Sequence, residues 1–297
     1  MKDLTLRQLR YFEALAAHGH FGRAAEACAV SQPALSVQIK ELEESVGARL
    51  FAREPREVRL TPLGEEFLAR ALGILRAVDE LGDLAQAARA GLVGRLRLGV
   101  IPTIAPYVLP SIIGALKAAH PDVDLHVRET LTSGLLADLR DGKLDAAILA
   151  LPVSEPSLAE TPLFTEKFLL VRPESAAEAP APTASALVGE RLLLLEEGHC
   201  FRDQALAFCG MPAGRQRDGL DGSSLSTLVQ MVASGIGVTL IPEMAEAVET
   251  RSAPVSVARF DGPAPSRTIG MVWRRSSPLA SHLTDVAKIV GEAIGDV

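Results

Sequence analysis

The 297 residues contain no run of about 18 or more uncharged apolar residues, the length a membrane-spanning helix needs, so no bilayer span is expected. The opening stretch, MKDLTLRQLRYFEAL, mixes charge into apolar residues at helical spacing. It lacks the continuous apolar core and cleavage site of a secretory leader, and a cytoplasmic location is expected. Cysteine is scarce, with Cys28, Cys200 and Cys209 alone. Cytosolic thiols are kept reduced, which argues against a permanent structural disulfide. The three spacings do not match a zinc site, and neither a metal nor a cofactor is expected. Net positive charge is also lacking: the formal charge is −7, which argues against a general nucleic-acid coat.

The distribution of charge says more than its sum. Residues 1–62 carry nine basic and eight acidic side chains, so the acidic excess lies further on. Four of the nine, Arg49, Arg53, Arg56 and Arg59, form a local basic stretch that reads equally well as a phosphate contact or as a solvated loop. Apolar residues make up 48% of the chain, enough for real cores. No internal repeat or low-complexity tract interrupts it.

Hydrophobic spacing predicts helices over 4–17, over Phe21–Cys28 with Ala24, Ala25 and Cys28 facing inward, and over Gln32 to about Val46. Ser31 has the character of an N-cap, and Pro33 fits a first helical turn, where its missing N–H costs little. Residues 50–60 suggest a β-hairpin. A long amphipathic helix follows from Thr61 to about Arg89, with Leu68, Leu72, Leu75, Val78, Leu81, Leu84 and Ala88 at three- and four-residue steps. Such a stripe serves either a core or a partner helix. From Gly94 onward strands and helices alternate, which implies parallel sheets. The fold class expected is therefore α/β multidomain, with the last 200 or so residues forming two α/β subdomains about a cleft.

Residues 20–46 have helix-turn-helix form. In that motif the start of the second helix reaches base edges, here Ser31, Gln32, Ser36 and Gln38, with Lys40 on phosphate and Pro33 in the same DNA-binding turn. Spacing alone leaves a plain helical bundle open. The string Phe21-x-x-Ala24-Ala25-x-x-Cys28-x-Val30-Ser31-Gln32-Pro33-Ala34-Leu35-Ser36-x-Gln38-Ile39-x-x-Leu42-Glu43 closely resembles the signature of LysR-type regulators. Leu50-Phe51-x-Arg53 and Leu60-Thr61-x-x-Gly64 resemble the wing of that family. The resemblance implies a winged helix-turn-helix over 1–62, with Arg53 and Arg56 near DNA. It also implies a dimerising linker helix over 63–90 and a periplasmic-binding-protein-like effector domain over 91–297. Its subdomains would be about 91–164 with 268–297, and about 165–267. Homodimers or homotetramers on double-stranded promoter DNA are implied as well, with RNA polymerase as a partner.

The most informative stretch of the second half is Gly198-His199-Cys200-Phe201-Arg202-Asp203-Gln204-Ala205-x-x-Phe208-Cys209. Cys200 opens an expected helix, where unpaired N–H groups and the helix dipole favour a thiolate. His199 and Arg202 flank it and would add positive charge. A thiolate attacks peroxide to give a sulfenic acid, which a second thiol resolves to a disulfide. Cys209 lies nine positions on, and nine steps of an intact helix separate the two Cα atoms by roughly 13 Å. A disulfide requires about 7 Å or less, so bond and helix exclude each other.

The segment as a whole resembles that of the hydrogen peroxide-responsive members of the same family. The resemblance makes Cys200 the peroxidatic and Cys209 the resolving cysteine, and places Thr103 and Thr132 in the peroxide pocket. It implies a sensor served by a thiol reductant system rather than an enzyme; Asp203 is expected to hold Arg202. The residues alone leave open a metabolite-responsive regulator, a thiol peroxidase, which would have no use for residues 1–62, and a solute-binding protein.

Overall fold

The computed structural model describes residues 4–53, 58–87, 92–180, 182–183, 187, 189–211, 221–261 and 264–295. The chain divides into two compact units, Met1–Ala85 and Gln86–Val297. No helix among the described residues is long and apolar enough to cross a membrane.

In the first unit, Thr5 begins helix α1 (Leu6–His18) through a capping box with Gln8, and the left-handed Gly19 ends it. Helix α2 (Phe21–Ala27) is capped by the His20 ring. Ala29, at φ +53°, turns the chain sharply into α3 (Gln32–Val46), which starts at Ser31 as the sequence indicates. Cys28 ends α2 rather than lying within it, half-buried against the core. Strands β1 (Phe51–Arg53) and β2 (Val58–Leu60) pair antiparallel as the expected hairpin. The Glu43 carboxylate of α3 accepts from the Leu50 and Phe51 N–H groups at 2.8 and 3.1 Å, pinning the hairpin to the helix.

Helix α4 (Pro62–Ala87) springs from Thr61, whose hydroxyl accepts from the Gly64 N–H and donates to the Arg49 carbonyl. A Cβ at residue 64 would stand 2.1 Å from the Leu50 carbonyl oxygen, so only glycine lets α4 start this close to the hairpin. Phe12 centres the core, with Phe51 and Phe67 at 5.1 and 5.3 Å between ring centroids. Ala71 and Leu75 of α4 are buried in it, whereas Leu81 and Leu84 are exposed. Ala88 and Arg56 lie outside the described residues.

The second unit begins with β3 (Gly94–Val100), α5 (Ala105–Ala119), β4 (Val123–Glu129), α6 (Thr132–Arg140), β5 (Ala146–Leu151) and β6 (Leu158–Pro173). It continues with β7 (Leu192–Leu193), α7 (Cys200–Phe208), α8 (Leu225–Ala233), β8 (Val238–Pro242) and α9 (Glu246–Glu249). Strands β9 (Val255–Ala258) and β10 (Ser266–Arg274) and helix α10 (Ala280–Gly295) complete it. The strands run in the order β4-β3-β5-β10-β6-β8-β7, with β9 also on β6.

The sheet is mixed, which corrects the expectation of parallel sheets. β3 is parallel to β4 and β5, and β7 to β8. β10 inserts antiparallel between β5 and β6, and β6 is antiparallel to β8 and β9. Strand direction leaves no trace in a burial pattern, so a strand returning from near the C-terminus could not be seen as a reversal. β6 belongs to both halves: Leu158–Lys167 pairs with β10, and Phe168 onward with β8 and β9. The chain crosses back beside it, the Pro265 carbonyl accepting from the Phe168 N–H at 2.8 Å. Two α/β halves therefore meet at β6, with Thr103, the start of α6 and the start of α7 brought together beside a cleft.

Candidate functional site

Cys200 is the first residue of α7 and Cys209 its C-cap, both as free thiols. Gly198, at φ +96°, turns the chain into the helix. No side chain caps its start, although the Arg202 N–H donates to the His199 carbonyl at 3.0 Å. A tight recess there is lined by Ile101, Pro102, Thr103, Leu131, Thr132, His199 and Cys200. Thr132 Oγ1 is buried in it with no hydrogen-bond partner among the described residues. Buried polar atoms are ordinarily paired, so this hydroxyl stands ready for a small polar ligand. Cys209 is 4% exposed in the apolar core, and burial pushes its thiol up from its ordinary value.

The expected cationic flanks are corrected. Burial pushes the His199 imidazole below its ordinary value, Glu196 acting the other way, so the ring is a neutral hydrogen-bonding group at pH 7 rather than a charge. Arg202 is buried and committed elsewhere: its Nη1 donates to the Leu195 carbonyl at 2.7 Å and pairs with Asp221 at 2.9 Å. Asp203 is exposed, and the carboxylate that holds Arg202 is Asp221.

The cation that sequence reasoning missed is Arg267 of β10. Its side chain is fully buried and paired with Glu166 at 2.7 Å, directly opposite it in the β10–β6 register. Its Nη1 donates to Thr103 Oγ1 at 2.8 Å and its Nη2 to the Thr103 carbonyl, which fixes the threonine at the recess. The guanidinium also lies 5.1 Å from the centroid of Phe201, on the cysteine-bearing helix. Phe201 in turn packs on Phe168 at 4.7 Å. Burial pushes the Glu166 carboxyl above its usual range while Arg267 works against that shift. In the sequence nothing sets Glu166 and Arg267 apart from the other charges of their strands, Glu160, Lys167 and Arg172 in β6 and Arg274 in β10.

In the first unit α3 exposes Ser31, Gln32, Pro33, Ser36 and Lys40 along one side. Ser31 is also the cap, accepting from the Ala34 N–H at 3.4 Å. The Gln38 amide donates to Glu41 at 2.7 Å, and Lys40 lies 3.7 Å from Glu44. Val37, not singled out from the sequence, is 53% exposed among them. Arg53 closes β1, and Arg56 falls outside the described residues.

Residues 6–65 match the bacterial regulatory helix-turn-helix proteins of the lysR family, and residues 89–294 match the LysR substrate binding domain. A "Probable hydrogen peroxide-inducible genes activator" of Streptomyces viridosporus is 44% identical over 99% of this chain and 95% of its own length. Full-length OxyR of Pseudomonas aeruginosa, carrying a cysteine-to-aspartate change, is 39% identical with a TM-score of 0.75 over 98% of this chain and 95% of that one. A hydrogen peroxide-bound cysteine-to-serine mutant of Corynebacterium glutamicum OxyR is 38% identical, with a TM-score of 0.68 over 98% and 93%. The chain therefore belongs to the LysR family of bacterial helix-turn-helix regulators, and it is similar to the OxyR proteins over nearly its whole length.

Proposed function

We propose that the chain is a cytoplasmic transcription regulator that senses hydrogen peroxide by forming a reversible Cys200–Cys209 disulfide. The observation that carries this reading is the placement of Cys200 at an uncapped helix start, in a recess with Thr103 and the unpartnered Thr132 hydroxyl, with Cys209 at the far end of the same helix. Peroxide held by Thr103, Thr132 and neutral His199 meets the Cys200 thiolate. The sulfur bonds to one oxygen, the O–O bond breaks, and the departing hydroxide takes a proton to become water. The sulfenic acid is then attacked by the Cys209 thiolate, forming the disulfide and releasing a second water. Two thiols and one peroxide thus give one disulfide and two waters.

Residues 1–62 bind double-stranded promoter DNA, reading bases through Ser31, Gln32, Ser36 and Gln38, with Pro33 in the same DNA-binding turn. The exposed Val37 meets a thymine methyl on this reading. Lys40, Arg53 and Arg56 contact phosphate. Residues 63–90 dimerise the chain, and 91–297 carry the sensor. A thiol reductant system resets it, and RNA polymerase reads the result. Brief exposure to less than one equivalent of peroxide should give a Cys200–Cys209 bond by peptide mass spectrometry and an altered promoter footprint. Cys200→Ser should abolish both; a normal response in that variant overturns the reading. A cleft of about 350 Å³ beside the recess favours a second reading, a regulator of this family that answers a bound metabolite. Such a protein would form no rapid disulfide.

A further inference from the structure

The cleft and the cysteine recess share Pro102, Thr103, Leu131 and His199, so the cleft opens onto the recess and offers a peroxide a route to Cys200. Its other wall carries a hydrogen-bonded chain that joins the two α/β halves. The Tyr107 hydroxyl on α5 donates to Glu249 Oε1 at 2.6 Å, and the Ser226 hydroxyl on α8 donates to Glu249 Oε2 at 2.5 Å. α5 belongs to the half built on β3, whereas α8 and α9 belong to the half built on β8. Both oxygens of one carboxylate are therefore used, one toward each half. Tyr107 is 8% exposed, and burial together with the Glu249 carboxylate holds its phenol far above its ordinary value, so it remains a proton donor at any physiological pH. Hydrogen bonds to an ionised group are the stronger kind.

We propose that Tyr107, Glu249 and Ser226 form a latch that holds the cleft narrow and makes the sensor selective for small peroxides. This rests on the peroxide-sensing reading. Hydrogen peroxide enters with the latch closed. An alkyl hydroperoxide with a bulky substituent enters when the halves part, so its rate follows the open fraction. The Cys200 chemistry is unchanged: the sulfur takes one oxygen and the alcohol leaves as the other product.

The test is the second-order rate of Cys200 oxidation in the full-length protein, with hydrogen peroxide and with cumene hydroperoxide, followed by stopped-flow or quenched mass spectrometry. Tyr107→Phe keeps the ring and removes the donor, and Glu249→Ala removes the acceptor. Each should raise the cumene hydroperoxide rate about tenfold, the weight of one charge-assisted hydrogen bond, while moving the hydrogen peroxide rate by less than about twofold. Glu249→Gln retains an acceptor oxygen for Tyr107 but loses the charge, and should fall between wild type and Glu249→Ala. An unchanged ratio of the two rates in both Tyr107→Phe and Glu249→Ala overturns the latch. If the wild-type protein fails to react with hydrogen peroxide at all, the sensing reading itself falls, which is a different result.

Discussion

Arg267 and Glu166 have opposite charges on facing strands, buried from solvent and bonded at 2.7 Å. Removing one partner from such a pair leaves an uncompensated buried charge and costs about 3–5 kcal/mol, whereas replacing both is far milder. Arg267→Met should therefore lower unfolding stability by that amount in urea titrations, and adding Glu166→Gln should restore much of it. A double variant as unstable as the sum of the two singles would show that the pair is not coupled. Arg267→Met should also slow Cys200 oxidation, because Thr103 loses its anchor. His199 makes a separate prediction. Its folded-state pKa is lowered by burial, so below the unfolded value of about 6.5 the unfolded chain binds the proton first. Stability is lost as pH falls through that window toward the folded value. Comparing urea midpoints at about pH 7.5 and pH 5.5, His199→Gln should lose less stability than wild type on acidification.

At the scale of elements, α7 is the part that oxidation must dismantle. Phe201 and Ala205 are buried along it, and Phe208 packs edge-on to Phe260 at 5.2 Å. Truncating a buried phenylalanine costs about 3–5 kcal/mol, and if the disulfide form no longer seats Phe201, that cost falls on the reduced state alone. Phe201→Ala should then make the Cys200–Cys209 potential more negative by roughly 60 mV or more, at about 30 mV per 1.4 kcal/mol. Redox titration against glutathione measures it, and an unchanged potential would mean that Phe201 packs equally well in both forms. The helix itself was legible from the sequence, as was α3 with its Ser31 cap, because caps and periodicity are local. The partners of Thr103 and Arg202 were not. Arg267 meets Thr103 across 164 positions, and Asp221 lies 19 positions from Arg202 in a segment without a periodic pattern. Strand register, which no spacing reveals, brings Arg267 opposite Glu166. The same blindness hid the reversed β10 and the short β9.

For the whole molecule, a local change at α7 matters only if two DNA-reading units are held in a fixed relation. On the proposed reading, helix α4 makes that relation. Its first turns are consumed by the core of its own unit at Ala71 and Leu75. Ile74, beside Leu75 but turned from the core, and Leu81 and Leu84 further along are 49%, 66% and 60% exposed, at steps of seven and three that return near one face of a helix. An apolar set left exposed beside the buried one, and continuing past it to Leu84, fits a partner helix. Leu81→Asp with Leu84→Asp should leave each chain folded, since neither residue touches a core, while sedimentation shifts the mass to the monomer. Losing the second reading head removes its effective concentration at the adjacent half-site, so affinity for a two-half-site promoter should fall by about 10²-fold or more. Peroxide should still form the Cys200–Cys209 bond in this variant, because the chemistry is contained within one chain. A monomer that keeps full promoter affinity would place dimerisation elsewhere, and one that no longer oxidises would tie the sensor to the partner.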